Sequence, residues 1–202
     1  MIDSNFLGMN WETYIAFGDS ITIGARTYLG YPELVGNLLS TELSKQWNVI
    51  NHAKSGLKAI DLARHIDNSF FSLKEYKASV TSMLIGTNDI MAQTTKEDFK
   101  IALDQIILKT KLLTVNKNVI ILTIPAFHKG IMYPYSIGMN ETIFEFNSII
   151  NESAIQHEIR LLQLKHSEQD FFDGVHLNAT GIKNFSSQIS KFILKDKGIL
   201  LG

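Results

Sequence analysis

Short apolar segments recur along the chain at a spacing of roughly 33 to 40 residues, and this spacing limits the possible folds more than any other feature. The segments are continuously apolar rather than alternating, which is typical of strands covered on both faces of a parallel sheet. The spacing leaves room for one helix between successive strands, as in βαβ units. The five segments are 14–17 (YIAF), 48–51 (NVIN), 82–85 (SMLI), 119–124 (VIILTI) and 159–164 (IRLLQL).

Stretches of helical periodicity fill the intervals between these segments. Apolar residues recur at helical spacing in 30–43, 94–113 and 178–194. Thr94 and Glu97 have the spacing of a capping box at the start of the second stretch. Stripes of this kind indicate core packing. We therefore predict an α/β protein, a three-layer α/β/α domain with a mainly parallel sheet of about five strands.

Length and composition narrow the functional classes. A chain of 202 residues suits one domain spanning 1–202, with a core at about 14–195. Its net charge of −1, without a basic stripe, argues against nucleic acid as a partner, and no apolar stretch is long enough to span a membrane. Because the chain has no cysteine, disulfides, thiolate metal sites and a cysteine nucleophile are excluded.

The N-terminal segment MIDSNFLGMNWE lacks the basic and apolar parts of a signal peptide. We therefore expect a cytoplasmic protein. The sequence leaves the oligomeric state open.

Glycine and polar residues follow four of the five predicted strands. Because ligands bind outside the carboxyl ends of the strands in such sheets, these residues are expected to meet at one edge. In chain order they are Gly18-Asp19-Ser20, Ser55-Gly56, Gly86-Thr87-Asn88-Asp89, and Asp173 with His176.

These side chains have complementary chemistry. A serine hydroxyl such as Ser20 needs an adjacent base to become a nucleophile, and the imidazole of His176 is suited to that role. Asp173 would fix the tautomer of the histidine and stabilise its protonated form. An oxyanion formed by attack on an ester would accept hydrogen bonds from the backbone N–H groups of Ser20 and Gly56 and from the side-chain amide of Asn88.

Each of these residues also has a structural interpretation when it is considered alone. Ser20 or Asn88 could cap a helix, and Gly56 could simply form a turn. Asp19 and Asp89 are interpreted as structural hydrogen-bond acceptors. The presence of all the groups at one edge favours the catalytic interpretation.

Other candidate features carry less weight. The histidines form neither H-x-H nor H-E-x-x-H pairs, and DFFDG lacks the spaced acids of a calcium loop, so we expect no metal site. The segment 125–139 is rich in aromatic residues, which would either line an acyl or sugar pocket or pack against the domain. Those residues are Phe127, Met132, Tyr133 and Tyr135.

Four sequence blocks together resemble the SGNH, or GDSL, hydrolases, in the order of that family and across about residues 14–195. The blocks are FGDSITIG around Ser20, SG at 55–56, IGTND at 85–89 and DGVH at 173–176. The resemblance implies a flavodoxin-like fold and catalysis without a metal or another cofactor. It also implies Ser20 as nucleophile, His176 as base, Asp173 as its partner, and Gly56 and Asn88 in the oxyanion hole.

We accordingly expect a serine esterase that hydrolyses small or short-chain carboxylic esters, including O-acetylated carbohydrate, through an acyl-enzyme on Ser20. Its partner would be a small-molecule ester. The same residues would serve an acyltransferase, a thioesterase or a lysophospholipase. A non-catalytic binding domain with the same fold is the alternative from a different class.

Overall fold

The computed structural model describes residues 11–25, 27 and 29–196. Residues 1–10, which make up most of the segment that suggested the lack of a signal peptide, lie outside this part of the chain. The described residues contain one parallel sheet in the order β2-β1-β3-β4-β5. Its strands are β1 (Glu12–Gly18), β2 (Trp47–Ala53), β3 (Val80–Leu84), β4 (Val119–Leu122) and β5 (Arg160–Leu162). The predicted five-stranded parallel sheet is confirmed.

Seven α-helices lie in the described residues, and each of the four crossovers between strands contains at least one of them. They are α1 (Ser20–Ile23), α2 (Tyr31–Leu43), α3 (Ala59–Lys74), α4 (Thr87–Met91), α5 (Lys96–Leu113), α6 (Asn140–Gln156) and α7 (Ala179–Asp196). The described part of the chain also contains three short 3-10 helices, at Val115–Lys117, Ile137–Met139 and Glu168–Asp170.

The helices cover both faces of the sheet, which confirms the three-layer α/β/α prediction. Because side chains alternate along a strand, β1 contributes to two separate cores. Ile15 and Phe17 pack among buried residues of α3, α5 and α6. Tyr14 and Ala16 pack on the other face, among buried residues of α2 and α7.

Coverage of both faces holds for the inner strands and fails at the edges. β1, β3 and β4 are buried along nearly their whole length, whereas β5 is only half-buried and β2 is fully buried only at its ends. An edge strand has a neighbour on one side only, so solvent reaches side chains that would be covered further inside the sheet.

The predicted capping box of α5 was wrong by one residue. Thr95, not Thr94, accepts the hydrogen bond of the capping position, from the N–H of Asp98 at 3.1 Å. Thr94 instead donates its N–H to the carbonyl of Asp89 at 2.9 Å, which ties it to the turn that follows α4. Both threonines have an acidic residue three positions later, so the spacing alone could not distinguish them.

The strand order reverses at β1, and this reversal positions the site. From β1 the chain crosses to β2 on one side and later reaches β3 on the other side. At such a switch point the loops after the two neighbouring strands diverge and leave a crevice at the carboxyl edge of the sheet. The connection after β1 carries Ser20 at the start of α1, and the connection after β3 carries Asn88 in α4.

None of the helices in the described residues is long and apolar enough to cross a membrane.

The core on the α3–α5–α6 side predicts a large difference between two phenylalanines of the same helix. Phe146 is 1% exposed and its ring stacks on Phe99 with centroids 4.3 Å apart, whereas Phe144 is 75% exposed. Removing the buried ring leaves a cavity, so Phe146→Ala should lower the free energy of unfolding by roughly 3–5 kcal/mol. Phe144→Ala should change it by about 0.5 kcal/mol or less. Chemical denaturation measures both, and equal losses would contradict this description of the core.

Candidate active site

Ser20 occupies the first position of the short helix α1, which closely follows the end of β1. The preceding residue, Asp19, caps this helix, since its Oδ1 accepts the N–H of Ile21 at 3.0 Å. The interpretation of Ser20 as the helix cap is therefore wrong, and Asp19 is an acceptor as expected. The N–H of a residue in the first turn has no acceptor within its own helix, so the N–H of Ser20 is suited to bind an anion.

Asp173, His176 and Ser20 form one hydrogen-bonded chain. His176 Nδ1 lies 2.9 Å from Asp173 Oδ2, and His176 Nε2 lies 3.0 Å from Ser20 Oγ. An ionised carboxylate can only accept hydrogen bonds, so Nδ1 carries a proton and donates a hydrogen bond to Asp173. Nε2 is then unprotonated and accepts the hydroxyl hydrogen of Ser20. The structure thus brings together three residues that are up to 156 positions apart in the sequence.

A tight turn holds the carboxylate of Asp173 in place. Its Oδ1 accepts the backbone N–H groups of Val175 at 3.1 Å and His176 at 2.8 Å. Gly174, between Asp173 and Val175, has φ +80°, and a Cβ there would lie 2.6 Å from the carbonyl oxygen of His128, so the turn requires glycine. Burial alone would raise the pKa of Asp173, but the hydrogen bonds from His176 and Val175 outweigh it and hold that pKa below its usual value.

Gly56 lies in the turn after β2 and Asn88 lies in α4, after β3, and neither forms a hydrogen bond with Ser20 in the described residues. Gly56 has φ +80°, and its N–H donates to no acceptor in the described part of the chain. Asn88 Nδ2 donates to the carbonyl of Leu57 at 3.0 Å and, over a longer 3.4 Å, to Asp19 Oδ2. The amide therefore links the Gly56 turn to the residue that precedes the serine.

Two buried acids support these turns. Asp89 Oδ2 accepts the N–H of Ala59 at 2.8 Å and so joins α4 to the start of α3. Burial raises the pKa of Asp89 to about 6. Burial also raises the pKa of Asp19 to about 7, and the nearby charge of Asp89 adds to that rise while the hydrogen bond from Ile21 opposes it. Both acids therefore act as structural acceptors in this part of the chain.

Sequence reasoning missed a histidine pair near the turn that carries Asp173 and His176. His128 Nε2 lies 2.9 Å from His166 Nδ1, and both rings contact the ring of Phe171. His128 also donates its backbone N–H to the carbonyl of Gly174 at 3.0 Å. These two histidines are 38 positions apart, so no local spacing could have revealed the pair.

The aromatic segment after β4 divides into two parts. Phe127 is 3% exposed and belongs to the core, so the packing interpretation is correct for it. Met132 and Tyr133 are exposed, and with Tyr135 they line a cavity that His176 also lines. The pocket interpretation thus fits the second part of the segment.

Comparison with known proteins adds independent findings to this geometry. The model of the GDSL-like Lipase/Acylhydrolase family matches residues 16–183. No curated protein sequence matches the chain significantly.

Three solved structures illustrate the similarity of fold. The lipase/acylhydrolase from Enterococcus faecalis is 21% identical, with a TM-score of 0.73, over 92% of this chain and 96% of that chain. Axe2, an acetylxylan esterase from Geobacillus stearothermophilus, is 20% identical, with a TM-score of 0.70, over 90% and 94% of the two chains. LAE5, an alpha/beta hydrolase enzyme from the metagenome of Lake Arreo, is 22% identical, with a TM-score of 0.71, over 88% and 93%.

At such identities the structures establish a shared fold, while the family model covers most of the chain, including the segments that carry Ser20, Gly56, Asn88, Asp173 and His176. The chain therefore belongs to the GDSL-like lipase/acylhydrolase family and is an ester-cleaving hydrolase.

Proposed function

We propose that the protein is a serine esterase that hydrolyses small or short-chain carboxylic esters, including O-acetylated carbohydrates, through an acyl-enzyme on Ser20. The observation that carries this proposal is the hydrogen-bonded chain from Asp173 through His176 to Ser20 Oγ. Carbohydrate esters are included because Axe2, which shares the fold, is an acetylxylan esterase.

The acylation step follows from this geometry. Ser20 Oγ attacks the ester carbonyl carbon while its proton moves to His176 Nε2, and the carbonyl electron pair moves to oxygen. The tetrahedral intermediate then breaks its bond to the alcohol oxygen, which takes the proton from Nε2 and leaves. Asp173 lowers the energy of the protonated imidazole because its carboxylate accepts from Nδ1 at 2.9 Å.

The oxyanion of that intermediate needs donors that are in place before the reaction. The N–H groups of Ser20 and Gly56 have no acceptor among the described residues. The third donor is Asn88 Nδ2, whose 3.4 Å hydrogen bond to Asp19 is long and so is readily exchanged for one to an oxyanion.

Deacylation uses the same groups. Water attacks the carbonyl carbon of the acyl-enzyme while one of its protons moves to His176 Nε2. The bond from this carbon to Ser20 Oγ then breaks, and Oγ takes the proton from Nε2 to restore the hydroxyl.

Replacing the nucleophile provides the test of this function. Ser20→Ala should lower kcat for p-nitrophenyl acetate by roughly 10⁴-fold or more, because no other group supplies the attacking oxygen. Ser148→Ala, at an exposed position of α6, is the matched control and should leave kcat unchanged. Circular dichroism checks that both variants are folded. Substantial hydrolysis by a folded Ser20→Ala variant would rule out the proposed acyl-enzyme.

Loss of the side-chain donor to the oxyanion should reduce turnover more than binding. Asn88→Ala should lower kcat by about 10²–10³-fold with a much smaller change in KM, since the oxyanion exists only beyond the ground state. Asn151→Ala, an exposed position of α6, is the control. Steady-state kinetics measures both constants, and a kcat within fivefold of the wild-type value would remove Asn88 from the oxyanion hole.

The raised pKa of Asp19 predicts a pH-dependent contribution to stability. In the unfolded chain the carboxyl group of Asp19 loses its proton near pH 4, whereas in the folded chain it keeps the proton up to about pH 7. The contribution of Asp19 is therefore full below pH 4 and is lost as the pH rises through 7, a change on the order of a few kcal/mol. The excess stability of the wild type over Asp19→Asn should accordingly fall between pH 4 and pH 8.

Asp173→Asn is the control of opposite sign for this measurement. The pKa of Asp173 is lowered in the folded chain, so its contribution is present at neutral pH and is lost as the pH falls. Urea denaturation at several pH values measures both differences. A difference between the wild type and Asp19→Asn that does not vary with pH would contradict the buried, protonated state of Asp19.

A further inference from the structure

A cavity of about 210 Å³ adjoins the catalytic histidine. One wall comes from the segment between β4 and α6, and the other from the turn that carries the acid and base. The lining residues are Met132, Tyr133, Pro134, Tyr135, Asp173, Val175 and His176.

The position of this cavity relates it to one part of an ester. His176 lines it, whereas none of the proposed oxyanion donors, Ser20, Gly56 and Asn88, does. The alcohol oxygen must lie within reach of His176 Nε2, because this nitrogen protonates it when it leaves. The cavity is therefore placed to receive the alcohol part of the ester.

We infer that this cavity binds the alcohol part of the substrate and that Tyr133 and Tyr135 select a polyhydroxylated, sugar-like alcohol. The inference rests on the proposed function, because the alcohol side is defined by the role of His176.

Tyr133 has the properties of a platform for a sugar ring. The residue is 97% exposed and lines the cavity. A tyrosine ring offers a large apolar face at a low cost in conformational entropy and keeps a polar hydroxyl at its tip. The face of a pyranose that carries axial C–H groups packs on such a ring, while its hydroxyl groups stay at the edge.

Tyr135 supplies a fixed polar group deeper in the same cavity. Its ring packs edge-on against the buried Phe127, with centroids 5.2 Å apart at 74°. Its hydroxyl forms no hydrogen bond within the described residues, so it remains available to a hydroxyl group of the substrate. Burial raises the pKa of Tyr135, and the charges of Asp19 and Asp173 add to this rise. The hydroxyl therefore stays protonated and can donate.

Size and charge argue against two other kinds of alcohol. At about 210 Å³ the cavity is smaller than the roughly 300–1,000 Å³ of pockets for drug-sized ligands, so it suits one ring better than a long alkyl chain. Asp173 is the acidic residue in its lining, and both of its oxygens already accept hydrogen bonds from the catalytic turn. A cationic alcohol would therefore find no uncommitted carboxylate there.

Acetate esters that differ only in the alcohol test the inference, because all of them form the same acetyl-enzyme. Tyr133→Ala should lower kcat/KM for an acetylated xyloside by about tenfold, because one aromatic contact is lost. Its kcat/KM for ethyl acetate should stay within about twofold of the wild-type value. Tyr135→Phe, which removes only the hydroxyl, should lower the xyloside value by about 3- to 10-fold. Tyr76→Ala, between α3 and β3 at the opposite edge of the sheet, is the control and should change neither value.

The outcomes separate this inference from the proposed function. Equal losses for both esters in the tyrosine variants, or no loss for either, would overturn the inference. If these variants lose more kcat/KM for acetylcholine than for the xyloside, the inference is also overturned, because the site would then select a cationic alcohol. Ser20→Ala is assayed on the same esters, and only its activity bears on the acyl-enzyme itself. If Ser20→Ala is inactive while the tyrosine variants lose equal activity on both esters, the proposed esterase function stands and the alcohol site is rejected.

Discussion

The strand β1 pairs in parallel with β2 on one side and β3 on the other, and the positions of Ser20, Gly56 and Asn88 depend on this pairing. In the register of the sheet, Gly18 lies opposite Ala53 of β2 and Leu84 of β3. The three strands thus end at the same level, and their loops begin side by side. Ser20, Gly56 and Asn88 follow these ends by two, three and four residues. A slip in register would separate Ser20, the proposed nucleophile, from the groups proposed to stabilise the oxyanion.

Asp173 and His176, the proposed acid partner and base, come from a segment that no strand end holds directly, so other contacts have to fix it. Phe172 donates its N–H to the carbonyl of His176 at 2.7 Å, and Asn178 donates its N–H to the carbonyl of Asp170 at 2.9 Å. Asn178 also accepts the N–H groups of Thr180 and Gly181, which starts α7, a helix that packs on α2. The imidazole is therefore oriented by backbone hydrogen bonds, by a helix start and by its acid partner, before any substrate arrives.

Much of this arrangement could be predicted from the sequence because it depends on local signals. Apolar runs identify strands, and the glycine and polar residues after them identify the reactive edge, so Ser20, Asp173 and His176 were expected to meet. Contacts between distant segments left no such signal. The pairing of His128 with His166, the buried state of Asp19 and the opening between Tyr135 and His176 all depend on how loops pack. The cap of α5 likewise could not be assigned to Thr94 or Thr95 from sequence, because the choice depends on the hydrogen bond between Thr94 and Asp89 of α4.

Covalent labelling of the nucleophile tests the central claim of this account most directly. A fluorophosphonate reacts with a serine whose proton is taken by a neighbouring base, and mass spectrometry of the digested protein locates the adduct. The account predicts one adduct, on Ser20, which forms far more slowly when His176 is replaced by alanine. A folded protein that stays unlabelled, or that carries the adduct at another serine, would contradict the assignment of Ser20, His176 and Asp173 as the catalytic group.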